Sequence, residues 1–292
     1  MSSLDEFKDI LEKNKPLAPL TWLKVGGTAE YFAEPRTQDE LIRLVQRCQE
    51  EEIPLRVMGS GSNLLVRDEG VRGVVVRLTA EEFCRVSVNK ETAQAGCGAL
   101  LSQLIAETVR EGLAGLETLV GIPGTVGGAL RGNAGGRTGD IGQFVKSVLV
   151  LTATGEVCTR SDDELDFGYR YSSITDPVIL EGTFELSPDD PDKITRRLKK
   201  QWIVKKSSQP LSSQSAGCIF KNPRGVSAGA LIEDAGLVGK RVGGAEVSDR
   251  HANFIITHEG ATADDVLKLC ELIQDEVSRQ FGVELEYEIQ IW

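Results

Sequence analysis

The chain has little positive charge and no long apolar stretch. Its 292 residues carry a formal net charge of −11, whereas a nucleic-acid partner requires a basic surface. No run approaches the roughly 18 apolar residues of a membrane-spanning helix, and residues 1–14 lack the apolar core of a signal peptide. We therefore expect a cytoplasmic protein with no nucleic-acid and no membrane partner. We also expect a monomer, although composition does not determine the oligomeric state.

Histidine and cysteine are too sparse for a metal site. The two histidines and six cysteines form neither a CxxC pair nor a Cys/His group at zinc spacing. The cysteines stand at positions 48, 84, 97, 158, 218 and 270. This wide spacing is typical of reduced thiols in an intracellular protein, and we predict no metal.

Glycine is plentiful, and its 31 residues cluster. GSGSN (59–63) follows a predicted strand, and GIPGTVGGALRGNAGG spans 121–136. Glycine admits positive φ and lets main-chain N–H groups approach a phosphate. Neither segment matches the Rossmann fingerprint or the P-loop. Each segment alone is as compatible with a tight turn, but two clusters rich in Ser, Thr and Asn favour a large diphosphate cofactor.

Hydrophobic periodicity predicts helices and strands in irregular alternation, which indicates an α+β fold. Thr37 starts a capping box ahead of one helix, and Thr262 caps another. The predicted helices are 4–14, the segment after Thr37, 99–111, 191–206 and 263–280, with strands on both sides of Gly26-Gly27 and a last strand over 283–292.

A series of motifs resembles one enzyme family. In order they are KVGG (24–27), GSGSNLLV (59–66), GIPGTVGGA with NAG (121–135), FGYR (167–170), SAGCIFKNP (215–223), VSDRHANFI (247–255) and LEYEI (285–289). On these segments the chain resembles the UDP-N-acetylenolpyruvoylglucosamine reductases, in their shorter form without an inserted loop in the substrate domain.

The resemblance implies a two-subdomain FAD-binding fold, like that of PCMH and vanillyl-alcohol oxidase, followed by a C-terminal α+β substrate-binding domain. The implied limits are 1–80 and 81–198 for the two FAD-binding subdomains and 199–292 for the substrate domain. The last strand is expected to be able to return to the first subdomain.

The implied reaction is the NADPH-dependent, FAD-mediated reduction of UDP-N-acetylglucosamine enolpyruvate to UDP-N-acetylmuramate, a step of peptidoglycan synthesis. FAD binds non-covalently in this family, and NADPH is a co-substrate. The residues implied to bind FAD are Gly59, Ser60, Gly61, Ser62, Asn63, Gly121, Ile122, Pro123, Gly124, Thr125, Gly127, Gly128, Asn133 and Ala134.

Three catalytic residues are implied. Arg170 would hold the substrate carboxylate, and Glu288 matches the active-site glutamate, although strand alternation alone does not separate it from Glu284 and Glu286. Cys218 stands where the family usually has a serine that protonates C2 of the substrate. A lone cysteine is ordinarily inert packing, and only its position in the motif makes it a proton donor.

The expected substrate-binding residues are Tyr169, Lys206, Lys221 and Asn222. One alternative function is another non-covalent FAD-dependent oxidoreductase on the same fold. Covalent flavin attachment is disfavoured, because residues 1–83 contain no histidine and only Cys48. A second alternative, a binding module that has lost its chemistry, is motivated only by the cysteine at position 218.

Overall fold

A computed structural model describes residues 4–136 and 138–292. The described chain divides into two compact units that alternate along the sequence. The first unit takes the described residues within Met1–Lys13, Glu30–Gly59 and Arg72–Val204. The second unit takes Asn14–Ala29, Ser60–Val71 and Lys205–Trp292.

The helices and strands are short apart from three helices. The α-helices are α1 (Gln38–Glu50), α2 (Glu81–Cys84), α3 (Leu101–Arg110), α4 (Val126–Arg131), α5 (Pro191–Ser208), α6 (Ala228–Asp234) and α7 (Ala263–Phe281). The strands are β1 (Leu11–Pro16), β2 (Thr28–Ala33), β3 (Leu55–Met58), β4 (Leu64–Leu65), β5 (Val71–Arg77), β6 (Val86–Asn89), β7 (Thr92–Gly96), β8 (Leu113–Ala114), β9 (Gly135–Gly136), β10 (Gly139–Asp140), β11 (Val145–Leu151), β12 (Val157–Ser161), β13 (Phe167–Gly168), β14 (Tyr171–Ser172), β15 (Val178–Glu185), β16 (Ser187–Pro188), β17 (Arg241–Val242), β18 (Ala245–Val247), β19 (Ile255–Thr257) and β20 (Gln290–Ile291). Turns of 3₁₀-helix are Asp5–Phe7, Ala18–Leu20, Leu116–Leu119, Ile141–Phe144 and Asp162–Glu164.

The first unit is built around an antiparallel sheet of five strands in the order β12-β11-β15-β7-β6. The central strand β15 is mainly buried, and α4 packs on it. Fully buried Phe184 lies at the centre of this core, with Leu104 of α3 and Leu130 of α4 in the same cluster. In the same unit β3 pairs in parallel with β5, from Leu55 opposite Val74 to Met58 opposite Arg77.

The second unit combines an antiparallel sheet in the order β17-β18-β19 with α6 and α7. Its core contains Phe220, Ile232 of α6, and Leu269 and Ile273 of α7. In this unit β20 pairs in parallel with β4, so that Gln290 lies opposite Leu64. The second unit therefore draws early and late parts of the chain into one core.

Most of the helices predicted from periodicity are confirmed. Thr37 caps α1 by accepting a hydrogen bond from the Glu40 N–H at 3.2 Å. The helices predicted over 99–111, 191–206 and 263–280 are observed as α3, α5 and α7. Helix caps and apolar spacing are both local signals, which explains why these predictions succeed.

Three predictions of local structure were wrong. Residues 4–14 form a 3₁₀ turn and then β1, because the Ile10 carbonyl accepts from the Glu34 N–H at 2.9 Å, a partner that periodicity does not reveal. Residues 21–23 form bends and 24–27 are irregular, and only β2 after them is a strand. The last predicted strand shrinks to β20, with a single bridge of Tyr287 to Phe220 before it.

Across residues 4–136 and 138–292, none of the helices combines the length and the apolar character that crossing a membrane requires.

Candidate active site

The segment that carries Cys218 is held between two other stretches of the second unit. Buried Asn253 forms hydrogen bonds with both main-chain groups of Phe220. Its Oδ1 accepts from the Phe220 N–H at 3.0 Å, and its Nδ2 donates to the Phe220 carbonyl at 2.7 Å. The Ile219 N–H donates to the Asn253 carbonyl at 2.9 Å. Cys218 is half-buried, and Gly217 before it has a φ of 78°. The backbone on the C-terminal side of the thiol is thus fixed.

Glu288 lies against the same backbone. Its N–H donates to the Ile219 carbonyl at 2.8 Å, and its own carbonyl accepts from Asn63 Nδ2 at 3.1 Å. The Asn63 carbonyl in turn accepts from the Gln290 N–H at 3.0 Å. The structure therefore brings together the segments of Cys218, Glu288 and the end of the GSGSN loop, which the sequence motifs assigned to the site.

An aromatic pair closes this side of the second unit. The rings of Phe220 and Tyr287 stack with centroids 5.4 Å apart. Burial raises the pKa of the Tyr287 hydroxyl to about 12, helped by the neighbouring acidic groups Cys270 and Glu271. Tyr287 consequently stays protonated through the neutral range and acts as a packing residue.

The predicted substrate-binding residues of the second unit occupy different settings. The Lys221 ammonium lies 3.4 Å from the Glu286 carboxylate, an exposed pair of little energetic weight. Asn222 is exposed, and its Oδ1 accepts from the Ala228 N–H at 3.0 Å. Lys206 lies in the last turn of α5.

In the first unit, the second glycine cluster packs too closely for side chains at several positions. Thr125 caps α4 by accepting from the Gly128 N–H at 3.3 Å. A Cβ added to Gly59 would come within 2.7 Å of Thr125 Oγ1, and one added to Gly127 would come within 2.9 Å of the Cys97 Cβ. Gly59 from one glycine cluster and Thr125 from the other are therefore immediate neighbours.

Each glycine cluster, taken by itself, presents groups that suit a diphosphate. Gly61, Gly121 and Gly124 have φ angles of 68°, 76° and 131°, which direct main-chain N–H groups in ways that other residues rarely allow. Among the described residues, Ser60 Oγ is the buried side-chain polar atom with no hydrogen-bond partner. A buried hydroxyl seldom stays unpaired, and an acceptor such as a phosphate oxygen would satisfy it.

Arg170 stands at the turn of the β13-β14 hairpin, also in the first unit. Gly168 lies opposite Tyr171, which leaves Tyr169 and Arg170 as the two turn residues. The Arg170 guanidinium carbon lies 5.1 Å from the centre of the exposed Tyr169 ring. Arg170 has a φ of 54°, a left-handed conformation that is unfavourable for a residue with a side chain.

Some structurally central residues were missed in the sequence. Asn253 lies in the VSDRHANFI motif, where His251 is the more conspicuous residue. His251 Nδ1 accepts from the Asn253 N–H at 3.3 Å, and its ring lies 4.8 Å from that of Phe254. Arg131 was also missed. Its guanidinium donates to main-chain carbonyls after the hairpin, including that of Asp176 at 2.5 Å. Polar side chains that serve a distant backbone carry no periodic signal.

Two family descriptions match this chain. Residues 29–161 match the FAD binding domain, and residues 209–292 match the C-terminal domain of UDP-N-acetylenolpyruvoylglucosamine reductase. The first match covers Gly59 and the whole second glycine cluster, and the second covers Cys218 and Glu288. The predicted α+β fold, with an FAD-binding part and a C-terminal domain of this kind, is confirmed. The chain is an FAD-binding oxidoreductase.

Relatives with this architecture match along nearly the whole chain. UDP-N-acetylenolpyruvoylglucosamine reductase 2 of Symbiobacterium thermophilum is 42% identical, over 97% of this chain and 92% of its own length. The enzyme of Lactobacillus johnsonii is 41% identical, over 96% and 94%. The crystal structure of the Thermus caldophilus reductase superposes with a TM-score of 0.84 at 39% identity, covering 97% of this chain and 98% of that one. The chain belongs to the UDP-N-acetylenolpyruvoylglucosamine reductase family.

Proposed function

We propose that this protein reduces UDP-N-acetylglucosamine enolpyruvate to UDP-N-acetylmuramate with NADPH, and that Cys218 donates the proton. The observation that carries the proposal is the pair of segments joined at Ile219. The Cys218 thiol directly precedes this residue, and the Glu288 N–H donates to its carbonyl at 2.8 Å. A thiol and a carboxylate on adjoining backbone suit a site that must deliver a proton to carbon.

The bound FAD would supply the hydride, which it takes from NADPH. The residues proposed to hold it belong to the two glycine clusters: Gly59–Asn63, Gly121–Thr125, Gly127, Gly128, Asn133 and Ala134. Two observations support this assignment. Among the described residues the buried Ser60 hydroxyl has no hydrogen-bond partner, and the main chain at Gly59 leaves no room for a side chain. The domain limits are proposed as well. Residues 1–80 and 81–198 would form the two FAD-binding subdomains, and residues 199–292 the substrate-binding domain.

Hydride addition to the terminal vinyl carbon turns the π pair of the substrate into negative charge shared by C2 and its carboxylate. Arg170 is proposed to hold that carboxylate, because a guanidinium offers two parallel N–H donors and stabilises the developing charge. Glu288 is proposed either to act as an acid catalyst or to polarise the substrate carboxylate. Tyr169, Lys206, Lys221 and Asn222 are proposed to bind the sugar nucleotide.

The proton step then completes the reduction. The Cys218 S–H bond breaks, the proton forms the new C–H bond at C2, and the thiolate recovers a proton from water. A thiol is much more acidic than an alcohol such as serine, which favours donation. Sulfur is also larger and a weaker hydrogen-bond donor than oxygen, which makes its alignment with C2 more demanding.

The test separates the two half-reactions under anaerobic conditions. In Cys218→Ala, NADPH should reduce the flavin at the unaltered rate, while reoxidation by the enolpyruvyl substrate should slow by at least a hundredfold, since the proton donor is lost. Cys218→Ser should retain substantial reoxidation. Stopped-flow absorbance of the flavin measures both rates.

Cys158→Ala is the matched control, because Cys158 is half-buried like Cys218 but lies in β12 of the first unit. It should leave both rates unchanged. Unaltered reoxidation in Cys218→Ala would exclude the thiol as proton donor. If the enolpyruvyl sugar nucleotide does not reoxidise the reduced wild-type protein at all, the proposed reaction is wrong. That result would favour the alternative function, another non-covalent FAD-dependent oxidoreductase.

A further inference from the structure

The turn that carries Arg170 is strained. A left-handed backbone is unfavourable for a residue with a side chain, and Arg170 adopts it with a φ of 54° in a two-residue turn. Glycine or asparagine would relieve that cost, but neither offers a guanidinium. A strained conformation at a functional side chain persists only where the surrounding contacts fix it.

Asn133 supplies one such contact from the end of the second glycine cluster. Its Nδ2 donates to the Gly168 carbonyl at 2.7 Å, immediately before the turn, and its Oδ1 accepts from the Gly142 N–H at 3.0 Å. The side chain is only 1% exposed. Both ends of the amide are therefore engaged, and one of them fixes the start of the Arg170 turn.

Arg131, at the end of α4, supplies a second contact on the other side of the turn. Its guanidinium donates to the carbonyls of Ile174 and Asp176, which follow β14. The Asp176 carboxylate is separately paired with Arg160 at 2.9 Å. The segment around Arg170 is thus held before and after the turn by two side chains from a single stretch, residues 131–133.

We propose that Asn133 and Arg131 are positioning residues for Arg170, which couple the segment proposed to bind the flavin to the turn proposed to bind the substrate carboxylate. This inference rests on the proposed function of Arg170. Arg131 is not among the residues proposed to bind FAD, and its guanidinium donates to the segment after the turn. Its effect should therefore fall on substrate use. Asn133 is itself among the residues proposed to bind FAD, so its substitution is expected to affect both flavin and substrate.

The experiment is a double-mutant cycle between Asn133 and Arg170. Arg170→Ala and Asn133→Ala should each raise the Kd of the oxidised holoenzyme for the enolpyruvyl substrate at least tenfold, measured by the perturbation of the flavin spectrum. Reoxidation should slow at least tenfold in each. The double variant should be no worse than Arg170→Ala, because Asn133 acts through Arg170. In Arg131→Lys, which leaves the residues proposed to bind FAD unchanged, FAD affinity and the rate of reduction by NADPH should stay within twofold of the wild-type protein.

Thr108→Val is the matched control for loss of a buried polar contact. Thr108 is fully buried in α3. Among the described residues, its hydroxyl donates only to the Leu104 and Ile105 carbonyls of the same helix. It should leave substrate binding unchanged. Should Asn133→Ala fail to fold, Asn133→Asp keeps the acceptor for Gly142 and loses the donor to Gly168, and Arg131→Lys removes the planar fork.

The outcomes separate the two hypotheses. If Arg170→Ala binds and reduces the substrate normally, the proposed role of Arg170 is wrong. If Arg170→Ala is impaired but the Asn133 and Arg131 variants behave like Thr108→Val, positioning is wrong and the role of Arg170 stands. Additive losses in the double variant, or a weakened FAD affinity in Arg131→Lys, would likewise overturn the inference.

Discussion

At the scale of single residues, two buried asparagines, one in each unit, each bind main-chain groups of a distant segment. Asn133 holds the carbonyl before the Arg170 turn, and Asn253 holds both main-chain groups of Phe220, two residues after Cys218. An asparagine side chain carries a donor and an acceptor at one end, as the peptide group does. It can therefore replace a neighbouring strand where irregular backbone passes through a core.

Asn253→Ala should lower the free energy of unfolding by about 2–4 kcal/mol, because it leaves a buried donor and a buried acceptor of Phe220 without partners. Urea unfolding monitored by circular dichroism measures the change. Asn89→Ala, at an exposed position in β6, is the control and should change it by less than about 0.5 kcal/mol. Equal effects of the two substitutions would show that Asn253 does not stabilise the Phe220 segment.

At the scale of elements, α7 has the most complete set of terminal interactions. The Thr262 hydroxyl accepts from the Asp265 N–H at 3.1 Å, and the Asp265 carboxylate accepts from the Thr262 N–H at 3.1 Å. Asp68 accepts from the N–H groups of Ala263 and Asp264, both at 3.0 Å. Gly282 ends the helix with a φ of 66°. Side-chain caps thus define the first residue of α7, and a left-handed glycine defines its end.

Thr262→Ala should lower the free energy of unfolding by about 1 kcal/mol, the usual value for loss of an N-cap hydroxyl. Thr262→Ser keeps that hydroxyl and should stay within about 0.3 kcal/mol of the wild-type protein. Thermal unfolding of the two variants side by side measures the difference. A Thr262→Ala protein as stable as Thr262→Ser would mean that Asp68 alone satisfies the helix N-terminus.

The elements that the sequence predicted are those with local signals. Thr37, Thr262 and Gly282 mark helix boundaries through bonds to residues three or four positions away, so the sequence contains the whole signal. The segments 4–14 and 21–27 were wrong, because their hydrogen-bond partners lie far along the chain. The Trp22 N–H, for example, donates to the Gly61 carbonyl at 3.0 Å, a contact that no window of neighbouring residues predicts.

At the scale of the whole molecule, both units bury thiols. Burial raises the pKa of Cys48 to about 11, and that of Cys97 and Cys270 to about 12. These groups stay protonated in the folded protein at pH values where the unfolded chain has lost their protons. Their contribution to stability is complete below the ordinary thiol pKa of 9.0 and is lost as the pH rises toward the folded values.

We therefore expect the unfolding midpoint in urea to fall between pH 9 and 10.5, with protons released on unfolding. Cys270→Ala should lower that release by about one proton. Val277→Ala, a truncation at another fully buried position of α7, should lower the midpoint but keep the wild-type pH dependence. A midpoint independent of pH in this range, or the same dependence in both variants, would contradict the assignment.

The candidate site was predictable in composition but not in geometry. The motifs identified the residues of the glycine clusters, Arg170, Cys218 and Glu288, because short segments carry their identity. That the Asn63 amide donates to the Glu288 carbonyl, or that Asn133 engages Gly168, depends on how distant segments pack. These contacts link residues 225 and 35 positions apart, beyond the reach of any local pattern.

The bond between Asn63 and Glu288 has a consequence for synthesis. The two residues are 225 positions apart, and at 5–20 residues per second a ribosome takes roughly 10–45 s to cover that distance. During this interval the strand pair of β4 and β20 does not exist, and Ser60–Val71 emerges without the later partners it has in the second unit. We expect the Ser60–Val71 segment to reach its final structure only after Glu288 and β20 have joined it.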